Sequence, residues 1–229
     1  RGKQRTDSTR VLAVVRTLNR LQLVVETMSY ALEVLATAAP EWVQSHLDAA
    51  WFERYGQELD GWQWPDKGQE QETLAQTVGS DGFRLLDALY AMAQSPEPDQ
   101  DSASPLLYRL EAVQVLRQVW VQQYYREEEC VQWRKQKELP PVSLQLQSPH
   151  DVEARWSYKR EDSWVGYKVH ITESCEPDMP HLMTDVQTCP SGEADLFALP
   201  AIQAALARRG LLPAEQLVDA GYLTSKTSL

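Results

Sequence analysis

Between Thr17 and Ala38 the apolar residues Leu18, Leu21, Val25, Met28, Leu32 and Leu35 recur at alternating steps of three and four. That spacing lines them along one stripe of a helix and predicts an amphipathic helix over 17–38. The stripe is long enough to serve as a short coiled-coil seam, but packing within its own domain is the simpler use. The preceding segment, QRTDSTRVLAVV, has no helical period and is rich in β-branched Thr and Val, so it reads as a strand with Asp7 inside it.

Pro40 suits a first helical turn and Gly56 a stop, which predicts one helix over 40–56 with Trp42, Leu47, Trp51 and Phe52 on its buried side. After the loop ELDGWQWPDKGQ, a helix over 70–78 is expected to stop at Gly79. Another then starts with Ser80 or Asp81 as cap and runs through FRLLDALYAMA. The polar, proline-bearing stretch QSPEPDQDSASP reads as a surface loop or linker. A long helix follows over 105–126, with Leu106, Leu110, Val113, Trp120 and Tyr124 at helical spacing, and then a short strand over 131–134.

The pattern changes at Ser157. SYKR, the turn EDS and WVGYKVHITES form a hairpin in which Val165, Tyr167, Val169 and Ile171 alternate against Gly166, Lys168 and His170. HLMTDVQT supplies a further strand, EADLFALPAIQAALARRG a helix ending at Gly210, and QLVDAGY a last short strand. If the strand at 216–219 pairs with the strand at 5–11, the helical block between them is inserted into one mixed α/β domain. The expected organisation is a first strand over 1–16, a helical insertion over 17–150, and the remainder of the α/β domain over 151–229.

Composition narrows the function classes. Hydrophobic residues make up 43% of the 229, enough for a sizeable core, and no apolar run reaches the length of a membrane span. With no secretory signal pattern in its first residues, the chain is expected in the cytoplasm. Cys130, Cys175 and Cys189 are odd in number and lack CxxC spacing, which argues for reduced thiols over disulfides or a zinc knuckle. A net charge of −11 argues against a surface dominated by phosphate contacts, yet leaves room for a local acidic site that handles DNA through metal ions.

Two carboxylates suggest such a site. Asp219 follows an apolar strand at the carboxyl end, where open α/β sheets keep their ligand crevices. Asp7 lies on the first strand, flanked by the hydroxyls of Thr6, Ser8 and Thr9. Two ionised carboxylates sharing a crevice require a compensating cation, and a hard divalent ion such as magnesium is the economical one. The plainer use of a lone Asp after a strand is as a turn or cap residue, and this reading stays open. His170 and His181 have no second ligand at useful spacing and are expected to be structural. Asp185, with apolar neighbours and no turn, is left out of the metal set.

The segments TDST (6–9), YKREDSWVGYKVH (158–170), HLMTDVQT (181–188) and RGLLPAEQLVDAGY (209–222) together resemble the DDE transposases of bacterial insertion sequences. The helical segments LDAAWFERYG and VQVLRQVWVQQYYRE share that likeness, so it extends over nearly the whole chain. The resemblance implies a ribonuclease H-like catalytic domain whose first strand is followed by a large all-α insertion. It implies Asp7 and Asp219 as catalytic, metal-holding carboxylates with magnesium or manganese as cofactor. Lys159, Arg160 and Lys168 on the hairpin become candidate phosphate contacts.

In the complete enzyme of that family, metal ions support cleavage at the transposon ends and attack of the freed 3′ hydroxyl on target DNA. The implied partners are therefore transposon-end and target DNA; a homo-oligomer is allowed and no membrane is involved. The family's third carboxylate, a glutamate on a later helix, would fall beyond Asp219, and no Glu occurs after that position. The expectation is an internal piece of a transposase, incomplete at the C-terminus and inactive alone. Two other readings remain: a non-catalytic helical interaction module whose carboxylates are caps, and a nuclease using only the carboxylates present.

Overall fold

A computed structural model of the chain describes residues 2–66, 68–94, 104–128, 130–159 and 161–223. The chain is mixed α/β and divides into two units. One comprises Val15–Pro141 and Gln145–Val152; the other comprises Arg1–Val14, Val142–Leu144 and Glu153–Leu229.

In the first unit, helix α1 (Arg20–Ala38) starts later than its apolar period suggests, because Asn19 caps it. Gln22 N donates to Asn19 Oδ1 at 2.9 Å and Asn19 N donates to Gln22 Oε1 at 3.0 Å, which satisfies two end donors reciprocally. Leu21, Val25, Met28 and Leu35 are buried as the stripe requires, and Val24 and Ala31 are buried with them. The helix is thus covered over more than a single narrow seam.

The expected helix over 40–56 is two helices, α2 (Pro40–His46) and α3 (Ala49–Tyr55). Leu47 is extended, and Asp48 starts the second helix by accepting from Ala50 N at 3.0 Å. Trp51 is buried, but Phe52 is 49% exposed and not part of the core.

The reverse correction applies to α4 (Gln69–Ala93), which runs straight through Gly79. Its glycines permit close approach instead of ending the helix. A Cβ at Gly79 would sit 2.5 Å from Tyr124 Cε1, and one at Gly82 would sit 2.1 Å from Trp120 Cε2. The rings are held there by Trp120 Nε1 donating to Gly79 O and the Tyr124 hydroxyl donating to Ala75 O, each at 2.9 Å. Asp81 caps nothing. It is buried inside α4 and accepts from Arg54 and from the Tyr55 hydroxyl.

The expected helix over 105–126 is likewise broken, into α5 (Ser104–Leu107) and α6 (Glu111–Gln123). Tyr124–Glu127 is strand β2, paired antiparallel with β3 (Cys130–Trp133). Tyr124 and Tyr125 favour the extended form, and anchoring of the Tyr124 ring on α4 fixes where the helix stops. The polar stretch 94–105 falls largely outside the described residues.

The second unit is built on one mixed sheet. Strand β5 (Asp162–Ser174) pairs antiparallel along one edge with β1 (Lys3–Leu12). Its other edge is shared by β4 (Arg155–Lys159) and then β6 (Met183–Pro190), both antiparallel. Helix α7 (Ala198–Arg208) carries the chain back to β7 (Glu215–Leu217), which lies parallel to β1. Leu199, Ile202 and Leu206 of α7 pack with Tyr222. The covered side of β5 is the one bearing Trp164, Gly166, His170 and Thr172, whereas Val165, Tyr167, Val169 and Ile171 are only half-buried. Asp185, buried on β6, pairs with Arg209. Among the described residues no helix is long and apolar enough to cross a membrane.

Candidate functional site

The parallel pairing of β1 with β7 positions the two carboxylates. Lys3, Gln4 and Arg5 face Glu215, Gln216 and Leu217. Asp7 lies two residues past the last paired position of β1, and Asp219 two residues past the end of β7. Side chains alternate along a strand, so Asp7 shares a face with Arg5. The register is pinned from the other side of the sheet, where Gln216 Nε2 donates to Thr6 Oγ1 at 2.8 Å and Thr6 Oγ1 lies 2.8 Å from Thr172 Oγ1.

Both carboxylates are exposed, and each has one oxygen fixed by a nearby backbone N–H. Ser8 N donates to Asp7 Oδ1 at 2.7 Å, and Gly221 N donates to Asp219 Oδ1 at 2.8 Å. The second bond makes Asp219 the cap of the single 3-10 turn Ala220–Tyr222, so the turn role and an open carboxylate coexist in one residue. Among the described residues, neither Asp7 Oδ2 nor Asp219 Oδ2 accepts a hydrogen bond.

Tyr222 secures that turn to the sheet. Its hydroxyl lies 2.7 Å from His170 Nδ1, and His170 Nε2 lies 3.4 Å from Cys189 Sγ. Burial pushes the Tyr222 phenol up, so it keeps its proton and can donate to a neutral imidazole. Burial also pushes His170 down; Asp195 opposes this, and Lys168 reinforces it. The net effect favours the neutral imidazole.

A third carboxylate, Asp195, approaches the same turn and has no motif to announce it. It lies in the turn Asp195–Phe197 ahead of α7, with Oδ1 2.6 Å from Lys168 Nζ and Oδ2 3.5 Å from Ser8 Oγ. A Cβ on Gly221 would stand 3.0 Å from Asp219 Oδ1 and 3.3 Å from Asp195 Oδ2, so the glycine leaves the space between these two carboxylates open.

The candidate DNA contacts divide differently from the sequence reading. Arg10 pairs across with Lys168, and Lys159 with Asp162, on the face of the sheet that also carries Ser8 and His170. Asp7, opposite Ile171, points to the other face. The two lysines thus line a cavity of about 310 Å³ with Ser8, Arg10 and Trp164. Arg160 lies outside the described residues.

Carboxylate oxygens are the donors that magnesium and manganese take, so Asp7 and Asp219 suit such an ion in chemistry. Among the described residues no group of three or more His, Cys, Asp or Glu is placed to hold a metal ion. No family model, curated protein or solved structure matches the chain.

Proposed function

We propose that the sheet unit is the core of a ribonuclease H-like DDE transposase, with the helical unit inserted after its first strand and Asp7 and Asp219 as its metal-holding carboxylates. In the complete enzyme this core would cut transposon DNA and join it to target DNA. The observation that carries the reading is the parallel β1–β7 pairing, which ends two residues short of Asp7 on one strand and of Asp219 on the other. The order of strands supports it: β1 lies between antiparallel β5 and parallel β7, and the latter is reached through a helix.

In this reading the residues divide the work. Asp7 and Asp219 would hold the metal through carboxylate oxygens, and the Ser8 and Gly221 N–H groups fix one oxygen of each in place. Bound magnesium or manganese would supply the positive charge that activates an attacking oxygen and stabilises a leaving one. His170, through Tyr222, positions the turn that presents Asp219.

Manganese titration followed by electron paramagnetic resonance of the free ion tests the assignment. The expected result is saturable binding that weakens at least tenfold in both Asp7→Asn and Asp219→Asn. Equal binding by the wild-type chain and both variants would remove these residues from the metal site.

A further inference from the structure

We infer that the cavity bounded by the start of α1, the first turns of α4 and the end of β3 in the helical unit is a binding site for a free nucleoside monophosphate, whose phosphate meets Arg20, Arg134 and Lys135. The cavity measures about 640 Å³, and all three cations line it. That volume is typical of small-ligand sites. None of the three cations has a carboxylate partner among the described residues.

Arg20 is half-buried, yet its partners are neutral. Its Nε donates to Gln123 Oε1 at 2.5 Å and its Nη2 to Gln123 O at 3.4 Å, while the guanidinium carbon lies 4.3 Å from the centroid of the Trp133 ring. Burial pushes its pKa down to about 10. Withdrawing a cation from water without a counter-ion costs free energy, and an anion in the cavity offsets that cost.

Charge and hydrogen bonding decide which anion fits. Glu72 is the one carboxylate on the cavity wall, so three cations leave two positive charges. A phosphate monoester carries about −1.5 to −2 near neutral pH, a closer match than the single charge of a carboxylate or a phosphodiester. Its oxygens use only donors, however, and the wall also carries the amides of Gln71, Gln76, Gln132 and Gln136, each of which both donates and accepts. The edge of a nucleobase offers the same mixture, and side-chain amides pair with it through two bonds at once.

A free nucleotide suits this unit better than a nucleic-acid strand. Residues 15–141 and 145–152 contain 11 Lys and Arg against 21 Asp and Glu, so the unit as a whole repels a polyanion, whereas one small dianion meets chiefly the cations of the cavity. The site depends on neither the metal pair nor the DNA reading, so its test is run in EDTA and without DNA.

Isothermal titration calorimetry near neutral pH measures binding of the common nucleoside monophosphates to the 229-residue chain. At least one should bind saturably, about tenfold or more tightly than its own nucleoside and than inorganic phosphate. Arg134→Gln and Lys135→Gln should each weaken it about tenfold, the loss of one hydrogen bond to a charged group. Lys135 is exposed, so its variant keeps the fold and reads the site alone. The inference is overturned if no nucleoside monophosphate binds, if Lys135→Gln binds as tightly as the wild-type chain, or if inorganic phosphate binds equally well. It is also overturned if a single-stranded DNA oligonucleotide, added separately, binds more tightly than the nucleotide and loses affinity in Lys135→Gln.

Discussion

His170 Nδ1 lies 2.7 Å from the hydroxyl of Tyr222, so a side chain in the interior of β5 is tied to the turn that Asp219 caps. The bond crosses from the sheet to the segment after β7 and joins two residues 52 positions apart. Its loss should therefore affect stability and the placement of Asp219 together.

Tyr222→Phe keeps the ring in the α7 cluster but leaves a buried imidazole nitrogen unpaired. The expected cost is about 1–3 kcal/mol in urea unfolding, the usual penalty for an unsatisfied buried polar atom. Weaker manganese binding should accompany it. A change below about 0.5 kcal/mol, typical of neutral surface substitutions, would show that the bond contributes nothing.

Acid should destabilise the sheet unit through His170. Burial lowers its pKa in the folded state below the ordinary 6.5, so on acidification the unfolded chain takes up the proton first. Stability is then fully present above about pH 6.5 and falls as the pH drops toward the folded value. Protonation also removes Nδ1 as an acceptor for Tyr222. Unfolding free energies followed from neutral pH to pH 5 should decline, and His170→Gln should flatten that decline.

Gly82→Ala should destabilise the helical unit, against the usual rule for helix interiors. There, alanine is favoured over glycine by roughly 0.5–1 kcal/mol. Here the added methyl would stand 2.1 Å from Trp120 Cε2, so overpacking of about 1–3 kcal/mol should prevail. Thermal unfolding reads the sign directly, and a raised melting temperature would show that Trp120 does not lie against Gly82.

Arg209→Ala should cost about 2–4 kcal/mol, because it strands the Asp185 carboxylate, whose side chain is 1% exposed. Gln187 Nε2, at 3.0 Å from Asp185 Oδ2, remains as a partial partner. Adding Asp185→Asn to Arg209→Ala should recover part of the loss in urea unfolding, since the remaining buried group is then uncharged.

Local spacing foretold much of the framework. The stripe from Leu21 to Leu35, the 157–174 hairpin and the helix before Gly210 follow from the periods of helix and strand, which depend only on neighbours along the chain. The two aspartates were singled out through their strand contexts and the family resemblance. Asp195 was not, because nothing near it in sequence shows that Lys168, Ser8 and Gly221 come to meet it.

The sequence by itself determined most of the helical and extended segments, and that Asp7 and Asp219 each have turn-forming or hydroxyl-bearing neighbours. Tertiary structure decided what the same residues do. Gly79 reads locally as a stop, but two aromatic rings resting on α4 make it and Gly82 points of close contact within a continuous helix. Tyr124 fits a helical stripe, yet its anchorage on α4 turns it into the first residue of a strand. Which face of the sheet each charge takes was likewise settled by strand register, since a shift of one residue exchanges the two faces. That register puts Lys168 and Asp7 on opposite faces and runs β7 parallel to β1 up to two residues before Asp219 and Asp7.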